Sequence, residues 1–224
     1  MTDDHGFHLV TLDMDGTMFQ GNSVLYLKEK LGLAEEISLA HMRYGRGEIT
    51  ESQLNYIQIP HLSGIDLGPL LTSLESGPLL KNIQVGTQKL KDLGLQVSML
   101  TFNPLQILFC RRFGIDCSIG RSVEIENDRI VKTNEIPENK LDYLLRYCQS
   151  HGLKTTQCVH IGDGPNDIPT FRAAGLSIAL NAATRIVRDA ANASMQTDDF
   201  DLVATKVIEC MESTRTFSES PSPV

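Results

Sequence analysis

Leu12-Asp13-Met14-Asp15-Gly16-Thr17 closes a short apolar run, Phe7 to Leu12, and Ile161-Gly162-Asp163-Gly164-Pro165-Asn166-Asp167 closes another, Gln157 to Ile161. In both, a segment of strand length stops abruptly at acidic residues and glycine. A buried parallel strand reads this way, apolar along its length and polar where it leaves the sheet. Two such ends deliver up to four aspartates into one small space. Carboxylates that close repel unless a cation neutralises them. An all-oxygen set suits a hard divalent ion such as Mg2+, which commonly shares its coordination with phosphate.

Outward from these two stretches, strand and helix signals alternate. Helical periodicity over Ile83 to Leu93 is followed by a strand over Gln96 to Leu100, which ends at Thr101, and by a helix over Gln106 to Phe113. Val123 to Glu126 and Arg129 to Lys132 flank Asn127-Asp128, the signature of a β-hairpin. Glu138 to Ser150 reads as a helix, Pro165 opens another that runs to Ala174, Leu176 to Leu180 is a strand, and Thr184 to Ala191 and Phe200 to Met211 are helices. Residues 21–76 differ. Ser23 to Leu31, Glu35 to Tyr44, a stretch capped by Thr50 and stopped at Pro60, and Leu67 to Leu74 are all helical in period, with no strand among them. The chain is therefore expected to be α/β: a doubly wound parallel sheet formed by residues 1–20 and 77–212, with a small all-helical cap, 21–76, inserted after the first strand. Residues 213–224, rich in Ser and Pro, are expected to be a disordered tail.

The 224 residues are 41% hydrophobic and 21% charged, as in soluble globular proteins. A net charge of -8 argues against nucleic acid as a partner, since no basic concentration exists to displace counterions from phosphates. No apolar run has the length to cross a bilayer and no secretory signal opens the chain, so a cytoplasmic protein is expected. The five cysteines form no CxxC pair, which points to reduced, mostly buried thiols. The six histidines show no metal-ligand spacing, and His160, inside an apolar strand, is expected to be a satisfied core residue.

In an open parallel sheet, ligands bind outside the carboxyl ends of the strands. The expected strand ends gather Asp13, Asp15, Thr101, Asp163 and Asp167, with Lys140 near the start of the helix after the hairpin. A phosphate monoester needs a nucleophile, an acid for the leaving alkoxide and positive charge around its oxygens. With a divalent ion added, this set supplies all three. DMDGT at 13–17, Thr101, Lys140 and GDGPND at 162–167, in that order, resemble the haloacid dehalogenase superfamily of aspartate-nucleophile phosphotransferases. The helical insertion and GDGPNDIPTFRAAG resemble its phosphoserine phosphatase branch.

The resemblance implies a Rossmannoid core and a Mg2+-dependent phosphomonoester hydrolase acting on a small phosphorylated metabolite. It implies that Asp13 attacks phosphorus, and that Asp15 protonates the leaving oxygen and later activates water. Thr101 and Lys140 would hold the phosphoryl group, with Lys132 and Lys154 weaker candidates for the lysine. The metal would be held by the side chains of Asp13 and Asp163 and the backbone carbonyl of Asp15, with Asn166 and Asp167 behind them. Phe102, Asn103, Asn22, Arg43 and Tyr56 are the further candidates for substrate contact, with Tyr44, Arg46 and His61 as alternatives in the cap.

The chain departs from that branch at several positions. Asn22 stands near the place of a characteristic glutamate, Tyr56 near that of a cap arginine, and Thr101-Phe102-Asn103 where Ser-Gly-Gly is usual. Affinity for phosphoserine is therefore expected to fall. A phosphomutase shares the chemistry. A phospho-accepting receiver domain shares the acidic pocket, Mg2+, Thr and Lys, but lacks a second acid on the first loop and a helical insertion.

Overall fold

The structure, a computed structural model, describes residues 6–120, 123–133 and 139–218. The expected helix start at Glu138 and the tail residues 219–224 lie outside them. The first strand, β1 (Leu9–Leu12), is fully buried. Its register with β2 (Gln96–Met99) and β6 (Cys158–Gly162) sets Leu12 opposite Met99 on one side and Ile161 on the other. The three strands therefore end level, and the residues following them meet at one edge. The sheet continues outward through β3 (Cys117–Ser118), β7 (Leu176–Leu180) and β8 (Ala193–Met195), in the order β3-β2-β1-β6-β7-β8, all parallel. Chain order reverses on either side of β1, which opens a crevice at its carboxyl end.

Both faces of the sheet are covered. Val10 and Leu12 pack with Ile83 and Leu90 of α5 (Ile83–Asp92) and with Val203 and Val207 of α10 (Phe200–Ser218). Leu9 packs on the opposite face with Leu144 and Cys148 of α7 (Lys140–His151). The remaining core helices are α6 (Gln106–Phe113), α8 (Ile168–Ala173), which continues a 3-10 turn over Pro165–Asp167, and α9 (Arg185–Ala190). Strands β3 and β8 have no counterpart in the sequence reading. At two and three residues they are too short to set up a pattern of hydrophobicity.

Four helices leave the sheet between β1 and α5: α1 (Ser23–Leu31), α2 (Glu36–Gly45), α3 (Glu51–Leu62) and α4 (Leu67–Glu75). Asn22 caps α1, its Oδ1 accepting from the Leu25 amide at 2.9 Å. Thr50 and Gln53 form a reciprocal capping box at the start of α3. Pro60 does not end α3 as expected: the helix continues to Leu62. Pro60 lacks the amide that would donate to the Tyr56 carbonyl, so the helix continues with one hydrogen bond missing before its last turn. The hairpin of β4 (Val123–Glu126) and β5 (Arg129–Thr133) turns through Asn127 and Asp128, both at positive φ. It braces the helical insertion, the Gly64 amide donating to Ile130 O and the Leu67 amide to Asp128 O, both at 2.8 Å.

At the C-terminus α10 runs to Ser218, so the first six residues of the expected disordered tail are helical. The buried Met211 anchors this last part, and Ser213 and Thr214 return their hydroxyls to the carbonyls of Glu209 and Met211. Cys110, Cys148 and Cys158 are buried, free thiols. Among the described residues, no helix is long and apolar enough to cross a membrane.

Candidate active site

Asp13 is the first residue beyond β1, and its amide donates to Ile161 O at 2.9 Å, so the backbone is still held by β6. Its carboxylate, 5% exposed, lies 2.9 Å from Lys140 Nζ. Lys140 is the first residue of α7, and the N-cap Asn139 fixes the entry of that helix. The lysine reaches inward and is 1% exposed. Its Nζ also donates to Asp167 Oδ1 at 2.7 Å. Burial alone would push the ammonium down, but the two carboxylates outweigh it and hold Lys140 above its ordinary range.

Asp167 accepts four donors: Lys140 Nζ and His160 Nε2 on Oδ1, and the amides of Asp163 and Gly164 on Oδ2 at 3.1 and 3.0 Å. Burial opposes its ionisation, yet Lys140 and His160 keep it well below the usual carboxylate range. With these acceptor sites filled, Asp167 is the anchor of the site rather than a free ligand. Gly162 makes the anchor possible, since a Cβ there would lie 2.4 Å from Asp167 Cγ.

His160 extends the same chain of contacts. It is fully buried, with Nε2 3.0 Å from Asp167 and Nδ1 2.8 Å from Thr11 Oγ1. It is satisfied, as the sequence suggests, but by the anchor of the site and not by the core at large. A histidine two residues before Gly162, pointing to the same side as a threonine in β1, was the available signal.

Asp15 faces the crevice from the other side. Ser23 N donates to its Oδ1 at 2.9 Å and Asn103 Nδ2 to its Oδ2 at 2.8 Å. Burial pushes this carboxyl up to about 6 against those hydrogen bonds. Asn103 also donates to Ser23 Oγ and accepts from the Leu105 amide. The amide expected to touch substrate is thus engaged in holding Asp15. Thr101 and Phe102 line the crevice, together with Asn22 and Asn166.

Asp163 sits across from Asp13, and Thr17 Oγ1 donates to its Oδ1 at 3.1 Å. Gly16, at φ +81°, leaves room for it: a Cβ there would come within 2.1 Å of Asp163 Oδ2. Burial, followed by the charges of Asp13 and Asp167, pushes Asp163 up to about 7. Burial and Asp167 likewise raise Asp13, against the pull of Lys140. Oxygens of Asp13, Asp163 and Asp167 all lie within 4.8 Å of one another. One lysine does not balance three clustered carboxylates, and the surplus falls on Asp13 and Asp163, whose oxygens fit a hard divalent cation.

The crevice has a volume of about 430 Å3 and is closed on its far side by α2 and α3. The insertion presents His41 and Tyr44 from α2, and Glu51, Asn55 and Gln58 from α3. Arg43 and Tyr56 are not among them, a correction to the expected substrate contacts. Tyr56 is 83% exposed, and Arg43 lies 3.8 Å from Glu48 on the outer surface. A helix turns about 100° per residue, so a neighbouring position points elsewhere: in α3 the inward residues are Leu54, Asn55, Gln58 and Leu62. Arg46 and His61 also turn outward, toward Glu48 and Glu36.

The chain is similar to known proteins over most of its length. Over 201 residues the chain is 28% identical to a phosphoserine phosphatase of Streptomyces coelicolor, a match covering 87% of this chain but 49% of that one, so the chain spans about half its length. It is 28% identical over 212 residues to a phosphoserine phosphatase of Albidiferax ferrireducens, covering 87% of each chain. A solved phosphoserine phosphatase, described as a phospho-aspartyl intermediate analogue, superposes with a TM-score of 0.70 at 18% identity over 89% of this chain and 98% of that one, a likeness of fold. The family of haloacid dehalogenase-like hydrolases matches residues 7–175, which span both aspartate loops, the helical insertion and Lys140. With that match and the doubly wound sheet carrying it, the chain belongs to the haloacid dehalogenase-like hydrolase family.

Proposed function

We propose that this chain is a Mg2+-dependent phosphatase that hydrolyses a small phosphate monoester through a phosphoaspartate on Asp13. The observation that carries the reading is the buried contact of Lys140 with Asp13, backed by Asp167, beside a second carboxyl group, Asp15, held near neutrality. The phosphatase names of the relatives support it.

An Asp13 oxygen attacks phosphorus, and the bond from phosphorus to the substrate's alkoxy oxygen breaks as Asp15 donates its proton to that oxygen. Asp15, now a carboxylate, takes a proton from water as the water oxygen attacks the phosphorus of the phosphoaspartate. The P–O bond to Asp13 breaks, releasing inorganic phosphate. A carboxyl group near 6 is suited to carry the proton both ways at neutral pH. Lys140 offsets the repulsion between carboxylate and phosphate, and the Thr101 hydroxyl would donate to a phosphoryl oxygen. Mg2+, held by Asp13, Asp163 and the Asp15 carbonyl, would withdraw charge from the phosphoryl oxygens.

Asp15 argues against a phospho-accepting switch, because a nearby acid and base shortens the life of an acyl phosphate. The test is Mg2+-dependent release of phosphate from para-nitrophenyl phosphate. Turnover that Asp13→Asn abolishes, with the circular dichroism unchanged, supports the reading. A stable phosphoprotein without turnover, or a rate that survives Asp13→Asn, overturns it.

A further inference from the structure

Hydrogen-bond donors on the cap wall of the crevice run in one direction. His41 Nε2 lies 2.9 Å from Gln58 Oε1, and an amide oxygen only accepts, so the imidazole donates. Gln58 Nε2 donates to Asn55 Oδ1 at 2.6 Å. Asn55 Nδ2 donates to Glu51 at its backbone oxygen, 3.0 Å, and its carboxylate Oε1, 3.3 Å. Asn55 and Gln58 are 1% and 4% exposed, so this is a built network and not a solvated helix face. Tyr44 lines the same crevice as Glu51, and its hydroxyl is within electrostatic reach of Glu51, Lys140 and Asp13. The relay therefore ends on a carboxylate that shares the crevice with the nucleophile.

What such a wall complements is a donor. Among the described residues lining the crevice none is lysine or arginine, and Lys140 is committed to Asp13 and Asp167. Burial holds His41 below the ordinary imidazole range, which disfavours its charged form. A ligand carboxylate placed here would meet Glu51 with no cation beside it, and like charges in a confined site discriminate strongly. We propose that the alcohol half of the substrate presents an ammonium or hydroxyl groups to Glu51 and carries no carboxylate. The substrate class is thus an amino-alcohol or polyol phosphate. The inference rests on the phosphatase reading above.

The test compares kcat/KM with Mg2+ for four esters: O-phosphoethanolamine, glycerol phosphate, O-phosphoserine and phenyl phosphate. Phosphoethanolamine is phosphoserine without its carboxylate, and phenyl phosphate has no donor on its alcohol half. Phosphoethanolamine or glycerol phosphate is expected to exceed phosphoserine by roughly tenfold or more; which of the two leads separates ammonium from hydroxyl recognition within the class. Glu51→Gln is expected to lower the better substrate's kcat/KM, relative to phenyl phosphate, by roughly tenfold or more, the worth of a hydrogen bond to a charged group. The same change should raise phosphoserine relative to phenyl phosphate, which lost structure alone would not do. Because each ratio is read on one preparation, any unfolded fraction cancels. A preference for phosphoserine, or ratios unmoved by Glu51→Gln, overturns the substrate class while leaving the phosphatase intact. No hydrolysis of any ester overturns the phosphatase reading beneath it.

Discussion

Replacing Lys140 by methionine tests the buried ion cluster at its hub. Methionine keeps most of the side-chain volume, so the change removes a charge with little loss of packing. In the native site Nζ lies 2.9 Å from Asp13 and 2.7 Å from Asp167, with all three side chains at most 7% exposed. Removing one partner of a buried pair costs about 3–5 kcal/mol, because the remaining charge is left uncompensated. Asp167 keeps three other donors, His160 and two amides, and Asp13 can escape by protonation. The loss is therefore placed at the lower end, about 3 kcal/mol, or a fall in Tm of roughly 6–12 °C for a domain of this size. Urea denaturation of the metal-free protein at pH 7 measures it. In an Asp13→Asn background the same substitution should cost less by about 1 kcal/mol or more, since the two sites are in contact. A loss below about 1 kcal/mol, the value for an exposed ion pair, would mean that the Lys140 charge is not compensating buried carboxylates.

Two further outcomes follow from the same electrostatics. Asp15 at about 6 and Asp163 at about 7 both lie above the ordinary carboxylate value, so between about pH 4 and 7 the folded protein binds more protons than the unfolded chain. The slope of stability against pH is then negative, and metal-free protein should melt at a higher temperature at pH 5 than at pH 7.5. Mg2+ should reverse that order by binding the ionised folded state, and scanning calorimetry with and without Mg2+ reads both. Asp15→Asn should lower kcat on para-nitrophenyl phosphate by roughly 10²–10⁴-fold, the range for general acid–base catalysis, and remove the limb of the pH–rate profile near pH 6. An unchanged profile would take Asp15 out of the proton transfers.

What could be read from sequence followed from how each region is buried. Strands β1, β6 and β7 are covered on both faces, so their sequences are continuous apolar runs, and their ends stand out where Asp13 and Asp163 begin. The two aspartate loops were legible for that reason. The cap wall was not. A buried helix face is normally recognised by its apolar residues, but the inward face of α3 carries Asn55 and Gln58 because it lines a polar crevice. Its pattern does not distinguish that face from the one bearing Tyr56, so the expected contacts fell on the wrong side. His160 escaped for the converse reason: in an apolar strand it resembles a tolerated core residue, and only the fold brings it to Asp167.

The stereochemical course at phosphorus decides whether Asp13 is the nucleophile. Hydrolysis of a phosphate monoester made chiral with oxygen isotopes reports how many in-line displacements occur. Passage through a phosphoaspartate on Asp13 is two displacements, and overall retention of configuration is the predicted result. Inversion would mean that water attacks the substrate directly, and would contradict Asp13 as the nucleophile.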